Sequence, residues 1–560
     1  MRAADGEPAA ERGGGAAAVG AGILLSRLAG FLRASVTGAL FGVGPHADVL
    51  QTALRAPNVL QNLLGEQTLS ASFIPVYSRL LAQGRTADAR RFAGAVFGLL
   101  AAVAAGLALI GILLARPLVA LFAAGYLADA ARVARGELAV DRFELAVGAV
   151  RWMFPMTALL VLSAWALGVL NSHRRFLLSY CAPVVWNGAI VAALALAAQQ
   201  LGALRAGLAG LDRLLLAACI GALVGGALQF LVQLPGALRA LGGFRPAWTL
   251  TAPGVREALA AFGPAVAGRG VVQLASYLDQ LLASLLAVGA VAALGYAQLL
   301  YLLPVSLFGL SIAAASLPEM ARRGGAEDAA GLAERATRAL AQSGFLNLPS
   351  AVAYLTLGWP IVEGLYRLFG GGFGRQESLL VWLVLAGYSL GLPASTGSRV
   401  LQTTFYALGD TRTPARAAGL RVAAGVALGA PLMLLLDRWP VAALPGGAGP
   451  ERLRLGAIGL ALAASAAAWL ERAALRRALR RRLPALVWPG RELARMFGAA
   501  AAAALPGLVV WRAAVALELH PALVALGAGA SFAAAYAGLA VALKLPQVAL
   551  LRGRWPFGAP

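Results

Sequence analysis

Apolar stretches long enough to cross a bilayer recur from one end of this chain to the other. A helix needs about 20 such residues to span the hydrocarbon core. The sequence supplies candidates at about 18–43, 47–80, 91–114, 143–170, 178–200, 213–236, 255–286, 289–320, 335–358, 378–406, 414–436, 453–475, 492–512 and 521–545. Charged residues are 13% of the total and mean hydropathy is +0.75, whereas a soluble domain carries about 25% charged residues. A membrane β-barrel would show short alternating segments between turns, and these are absent. The expected fold class is an all-α integral membrane protein with about 14 transmembrane helices.

The net charge of +22 does not point to nucleic acid, because the basic residues fall between apolar spans. Lys and Arg gather in cytoplasmic loops of membrane proteins. With the N-terminus inside, those loops hold Arg79, Arg85, Arg90 and Arg91, later Arg174 and Arg175, and finally the run Arg476, Arg477, Arg480, Arg481 and Arg482. The opposite loops are short or of mixed sign, as with Asp129, Arg132, Glu137 and Asp141. The expectation is a multi-pass protein of the bacterial inner membrane with both termini cytoplasmic. The first residues are polar and Gly/Ala-rich, which does not read as a cleavable signal. Cys181 and Cys219 lie in or beside apolar segments, and His46, His173 and His520 show no ligand spacing, so neither a disulfide framework nor a metal site is expected.

An internal repeat is visible. Pro75 and Pro318 are each followed four residues later by arginine, and "RPLVALFAAGY" from Arg116 resembles "WPIVEGLYRLFGGGF" from Trp359. Pro75 to Pro318 and Pro117 to Pro360 are both 243 residues. Six helices separate the copies, so both halves run the same way through the membrane. Parallel repeats suit alternating access by rocking one half against the other. The expected plan is two six-helix repeats around a central cavity plus two C-terminal helices. The corresponding divisions are a polar tail at 1–17, a first lobe at 18–240, the first part of a second lobe at 241–440, a twelfth helix with its basic loop at 441–482, and the last two helices at 483–560.

Charges inside spans are costly and face a cavity or a partner. The first span holds Arg27 and Arg33, and the second Asp48, Arg55 and Glu66. Arg27 and Arg33 lie about 120° apart on a regular helix, so they converge only through their long side chains or a bend at Gly30. Arginine presents a forked donor matched to phosphate oxygens, and two forks in one cavity fit a diphosphate. The other reading is that these side chains snorkel to the interface. It applies with more force to Arg55. Asp279, in "SYLDQLLASLL", is expected deep in the seventh span, where a carboxylate must be neutralised, paired or bound to a cation. The glycines of "FGGGFG" lack a preceding strand and the GK[ST] ending of a phosphate loop, so ATP hydrolysis is not indicated. No catalytic residue and no enzyme activity are expected.

"SRLAGFLRASVTGALFG", "HADVLQTALRAPNVLQNLLGEQTLSASFIPVYSRLL" and "VLNSHRRFLLSYCAPVVWN" resemble the MurJ/MviN lipid II flippases of the MOP exporter superfamily. "FGPAVAGRGVVQL", "SLPEMARR" and "LQTTFYALGDTRTP" extend the likeness, which runs over roughly 18–436. The resemblance implies movement of undecaprenyl-diphosphate-linked disaccharide-pentapeptide from the cytoplasmic to the periplasmic leaflet, for peptidoglycan synthesis. It gives Arg27 and Arg33 the headgroup, Asp48 and Glu66 the support of the cavity or its gate, and the last two helices an apolar groove for the polyprenyl chain. Two cavity arginines usual in that family are missing, since Gln61 and Leu299 stand at their positions. Arg269 is extra, on a helix where the family is commonly uncharged.

No cofactor is expected beyond a monovalent cation, Na⁺ or H⁺, held at Asp279, or coupling to the membrane potential. Moving one charge across 100 mV supplies about 2.3 kcal/mol. The expected partners are lipid II, membrane lipids and cell-wall synthesis enzymes. Two other readings stay open: a flippase for another polyprenyl-diphosphate-linked glycan, and a scaffold that recruits cell-wall enzymes without transporting. A membrane-embedded glycosyltransferase would need catalytic carboxylates in ordered loops, and the loops are short.

Overall fold

The computed structural model describes residues 9–202, 207–309, 329–447 and 453–550. Among them the regular structure is helical, with an isolated bridge between Pro440 and Arg454 the sole extended pairing. It forms two compact units, one of Met1–Phe41 with Pro45–Leu285 and one of Gly42–Gly44 with Leu286–Pro560.

The first unit comprises α1 (Ala9–Phe41), α2 (Pro45–Leu64), α3 (Glu66–Ala82), α4 (Thr86–Leu113), α5 (Ala115–Phe122), α6 (Asp129–Ala134), α7 (Arg142–Ser172), α8 (Phe176–Leu201), α9 (Leu208–Leu241) and α10 (Val255–Ser284). It takes in α10, beyond the 18–240 suggested by the repeat. Helix α7 is its most buried span, with Trp165 fully enclosed and donating to the Ala93 carbonyl at 3.1 Å. Phe73 stacks between Tyr77 and Phe92 at 5.2 and 5.3 Å. Helices α8 and α9 approach closely because α9 carries Gly221 and Gly225. A Cβ at Gly221 would stand 2.7 Å from that of Ala193, and one at Gly225 2.8 Å from the Trp186 carbonyl. This is how small residues bring helices together in lipid.

The second unit comprises α11 (Ala290–Pro304), a π-turn at Val305–Gly309, α12 (Ala329–Thr356), α13 (Gly358–Tyr366), α14 (Arg375–Ser389), α15 (Leu392–Ala407), α16 (Arg412–Leu436), α17 (Gly456–Arg482), α18 (Gly490–Ala516) and α19 (Pro521–Ala542). Its last two helices pack on α12, where Tyr536 donates to the Phe345 carbonyl at 2.8 Å. Leucines such as Leu505 and Leu526 remain exposed, as side chains facing lipid do.

Among the described residues, eleven helices are long and apolar enough to cross a membrane, or up to thirteen if each bent pair is one span. The protein is therefore a multi-pass membrane protein, and the described residues account for eleven to thirteen of the about fourteen spans expected. Helices α2 and α10 are not among those spans, and they carry Asp48 and Arg55, and Glu257, Arg269 and Asp279. The charges that draw attention to these helices also lower their hydropathy. The single helix expected at 47–80 is broken at Gly65, whose backbone leaves the helical region at φ −84° and ψ −148°, although its N–H still donates to the Gln61 carbonyl at 2.7 Å. A Cβ there would lie 2.4 Å from that oxygen. The span expected at 378–406 is found at Arg375–Ala407, carried by α14 and α15 with a turn at Leu390 and Gly391. Of the helix expected at 289–320, residues 310–320 lie outside the described residues, as does Pro318 of the repeat.

The other repeat motif does have a structural counterpart. Leu114 separates α4 from the short α5, and Leu357 separates α12 from the short α13. The two junctions are 243 positions apart.

Candidate functional site

Helix α1 runs unbroken through Gly30, so no interruption of the helix there brings Arg27 and Arg33 together. Both arginines are half-buried. The Arg33 guanidinium lies 5.0 Å over the Trp186 ring of α8. That indole is itself fixed, since its Nε1 donates to the Ala222 carbonyl at 3.2 Å. The Arg33 plane is therefore oriented by an aromatic platform that sequence reasoning missed. "PVVWN" lies in one of the quoted motifs, but nothing in it says which charge the tryptophan meets.

Asp48 lies in the first turn of α2 and is fully buried. Arg142, at the start of α7, donates through Nη1 to Asp48 at 3.1 Å. Its Nε and Nη2 grip the two oxygens of Asp129 at 2.6 and 3.2 Å. Arg142 is 1% exposed and Asp129 0%. The guanidinium also sits 4.3 Å over the Tyr126 ring, and the Tyr126 hydroxyl meets Thr52 at 3.2 Å. Gln280 of α10 donates to the same threonine at 2.8 Å. Arg142 thus joins two carboxylates, one of them also 3.6 Å from Arg132, in a network tying α2, α7, α10 and the corner after α5. Such burial is tolerable only when the charges are paired and hydrogen-bonded. Asp48 was singled out from sequence, but Arg142 and Asp129 were not.

Beside this network, the His46 Nε2 and Asp212 Oδ1 are 2.8 Å apart, joining the starts of α2 and α9. Arg55 is half-buried and seven residues from Asp48 on the same helix, which places the two on one face. Glu66 is exposed, in the first turn of α3 beyond the Gly65 break. Arg269 lies in α10, and its side chain is outside the described residues. Asp279 is exposed and five residues from the end of α10, rather than deep and buried as expected. Its neighbour Gln280 is the buried member of the pair.

The family description "Lipid II flippase MurJ" matches residues 37–520. The chain belongs to the MurJ family. It is 34% identical over 482 residues to a probable lipid II flippase MurJ of Rhizobium tropici, covering 84% of this chain and 81% of that one. With the lipid II flippase MurJ of Burkholderia cenocepacia it shares 31% over 399 residues, 70% of this chain and 73% of that one. Its fold resembles a solved "Lipid II flippase MurJ, inward closed conformation", with a TM-score of 0.71 at 20% identity over 94% of this chain and 98% of the other. A multidrug resistance MATE family transporter of the MOP superfamily, inward-facing, gives 0.60 at 15% identity over 82% of this chain and 95% of the other.

MurJ proteins are transporters, and the chain is not an enzyme. Among the described residues, no group of three or more His, Cys, Asp or Glu is placed to hold a metal. The second unit of this MurJ-family chain adds polar groups that sequence reasoning passed over. Glu471 is 2% exposed on α17, accepts from Gln402 at 2.8 Å and pairs with Arg421 of α16 at 3.1 Å. Gln61 and Leu299, where arginines were expected, are both half-buried.

Proposed function

We propose that this chain moves lipid II from the cytoplasmic to the periplasmic leaflet of the bacterial inner membrane by alternating access, with both termini in the cytoplasm. Membership of the MurJ family supports the reading. The observation that carries it is the half-buried arginine pair on α1, with Arg33 steadied on Trp186. A forked guanidinium suits a diphosphate, and a steadied one loses less freedom on binding. Arg55 joins the headgroup grip, and Arg269 takes over part of what Gln61 and Leu299 do not provide. Asp48 acts through Arg142, holding α2 against α7, and Glu66 supports the cavity or its gate from the break between α2 and α3. A monovalent cation at Asp279, or the membrane potential, drives the cycle. Cell-wall synthesis enzymes are the partners that consume the product.

The missing arginines favour one second reading, a flippase for a different polyprenyl-diphosphate-linked glycan. Depletion of the native flippase, complementation with this chain and measurement of lipid II exposed at the outer leaflet separate the two. Restored exposure supports lipid II. A stably inserted chain that restores none sinks the proposal. Single cysteines at Gly84 and Gly447 test the orientation, because an impermeant reagent should label them from opposite sides.

A further inference from the structure

Helix α17 ends in the basic run from Arg472 to Arg482, and its first two arginines face inward. Arg472 is 9% exposed, with its guanidinium 4.9 Å from the Trp469 ring and 4.7 Å from the Trp488 ring. Arg476, one turn on, lies 4.3 Å over the other part of the same platform, Trp488. Arg472 donates once, from Nη1 to the Pro393 carbonyl at 3.0 Å, and the Arg476 Nε is buried with no hydrogen-bond partner. Among the described residues neither arginine is paired with a carboxylate. Glu471, the adjacent acid, is already taken by Gln402 and Arg421.

Both arginines line a cavity of about 500 Å³ within the second unit. Its remaining wall is largely apolar, formed along α12 by Leu340, Leu348, Val352 and Leu355 and on α18 by Leu493 and Phe497. Leu340 to Leu355 spans about 22 Å of helix axis at 1.5 Å per residue, against about 15 Å for half of a 30 Å hydrocarbon core. Gly397 leaves room at the charged end, since a Cβ there would stand 3.3 Å from the Arg472 Nε. Two cations without a paired carboxylate in a largely apolar cavity, whose α12 lining extends over more than a leaflet's depth, call for a ligand with an anionic head and a hydrocarbon tail. Buried cations without a counter-charge are costly, and arginine on an aromatic platform is well placed to receive a phosphate.

We propose that this cavity binds one anionic glycerophospholipid, its phosphate between Arg472 and Arg476 and an acyl chain along α12. The lipid supplies the missing negative charge and fills the space between α12, α17 and α18. This site is separate from the arginines of α1, and it needs no assumption about what the protein transports.

The test uses the full chain purified in detergent. Native mass spectrometry and thermal melting are followed with phosphatidylglycerol, phosphatidylcholine and undecaprenyl phosphate added in turn. Phosphatidylglycerol should be retained at one per chain and raise the melting temperature, with phosphatidylcholine doing neither. Arg472→Gln with Arg476→Gln should weaken retention about tenfold or more. Arg476→Gln alone, at a half-buried position, keeps the test open if the double variant does not fold, and should weaken it measurably. Equal retention of the two glycerophospholipids, unchanged binding in Arg476→Gln, or arginine-dependent binding of undecaprenyl phosphate in place of phosphatidylglycerol would each overturn the proposal.

Discussion

Arg142 holds Asp129 with two roughly parallel hydrogen bonds, from Nε at 2.6 Å and Nη2 at 3.2 Å, and this fork leaves Nη1 free to reach Asp48 at 3.1 Å. Lysine cannot reproduce the arrangement, because its ammonium is a point charge without a planar fork. Removing one partner of a buried ion pair costs about 3 to 5 kcal/mol, since it strands the other. Arg142→Met should therefore nearly abolish folded protein in the membrane, and Arg142→Lys should recover only part. Neutralising all three together, with Asp48→Asn, Asp129→Asn and Arg142→Gln, should restore folding measured by melting in detergent. If Arg142→Met melts like the parent, the network does not hold the unit together.

The Arg33–Trp186 stack gives a second expectation. Replacing Trp186 by Leu preserves apolar bulk but removes the ring face, a contribution of about 0.5 to 2 kcal/mol. Transport of a fluorescent lipid II in reconstituted vesicles should slow several-fold, and Arg33→Lys should slow it further. Normal transport by Trp186→Leu would leave the stack only a packing contact between α1 and α8.

Arg269 should be needed for transport if it substitutes for the absent arginines. Arg269→Ala should then abolish flipping at normal membrane levels, and adding Leu299→Arg should restore part of it. Undiminished flipping by Arg269→Ala would reduce that residue to an interfacial anchor.

Asp410, in the motif "GDTRTP", caps α16. Its Oδ1 accepts from the N–H groups of Arg412 and Thr413 at 2.9 and 3.0 Å, its Oδ2 from the Thr413 hydroxyl at 2.6 Å, and Arg482 pairs with it at 3.0 Å. The Thr413 hydroxyl is the main reason that its carboxyl lies below the usual range, with Arg482 adding to the effect. Because the folded value is depressed, the stabilisation is complete above the unfolded value of about 4 and is lost as pH falls through the folded one. Asp410→Asn keeps the cap acceptor and loses the charge, so it should melt slightly lower than the parent at neutral pH. That gap should close in acid. Asp410→Ala should melt lower still, and a gap that widens in acid would reverse the assignment.

Element type was legible because hydrophobic length is a strong signal, and the repeat was legible because Pro117 and Pro360 recur at one interval. Breaks were less visible. Gly65 sits inside an uninterrupted pattern, and only its extended ψ of −148° reveals the break. Asp48 could be flagged as an intramembrane charge, but its partner could not. Arg142 at the start of a span looks like an interfacial anchor, and Asp129 lies in a loop where both signs mix. The positions 243 residues after Asp48, Asp129 and Arg142 are Val291, Gly372 and Leu385, so the repeat offers no second copy of the network to draw attention to it. Trp186 and Arg33 are likewise brought together by helix packing, which no local spacing encodes.

The order of synthesis gives the buried network a further meaning. Asp48 emerges from the ribosome 94 residues before Arg142, which donates to it in the folded chain. At roughly 5–20 residues per second, that is a wait of several seconds to about twenty. Helix α2 is not apolar enough to count as a span by itself, and during that interval its acid lacks the Arg142 hydrogen bond that it makes in the folded chain. Its commitment to the bilayer should therefore be delayed until α7 arrives. Truncated nascent chains ending before Arg142 should leave α2 accessible to aqueous reagents, and chains long enough to insert α7 should protect it. Biogenesis of the first unit then proceeds by capture of an early helix by a late one, rather than by insertion one span at a time.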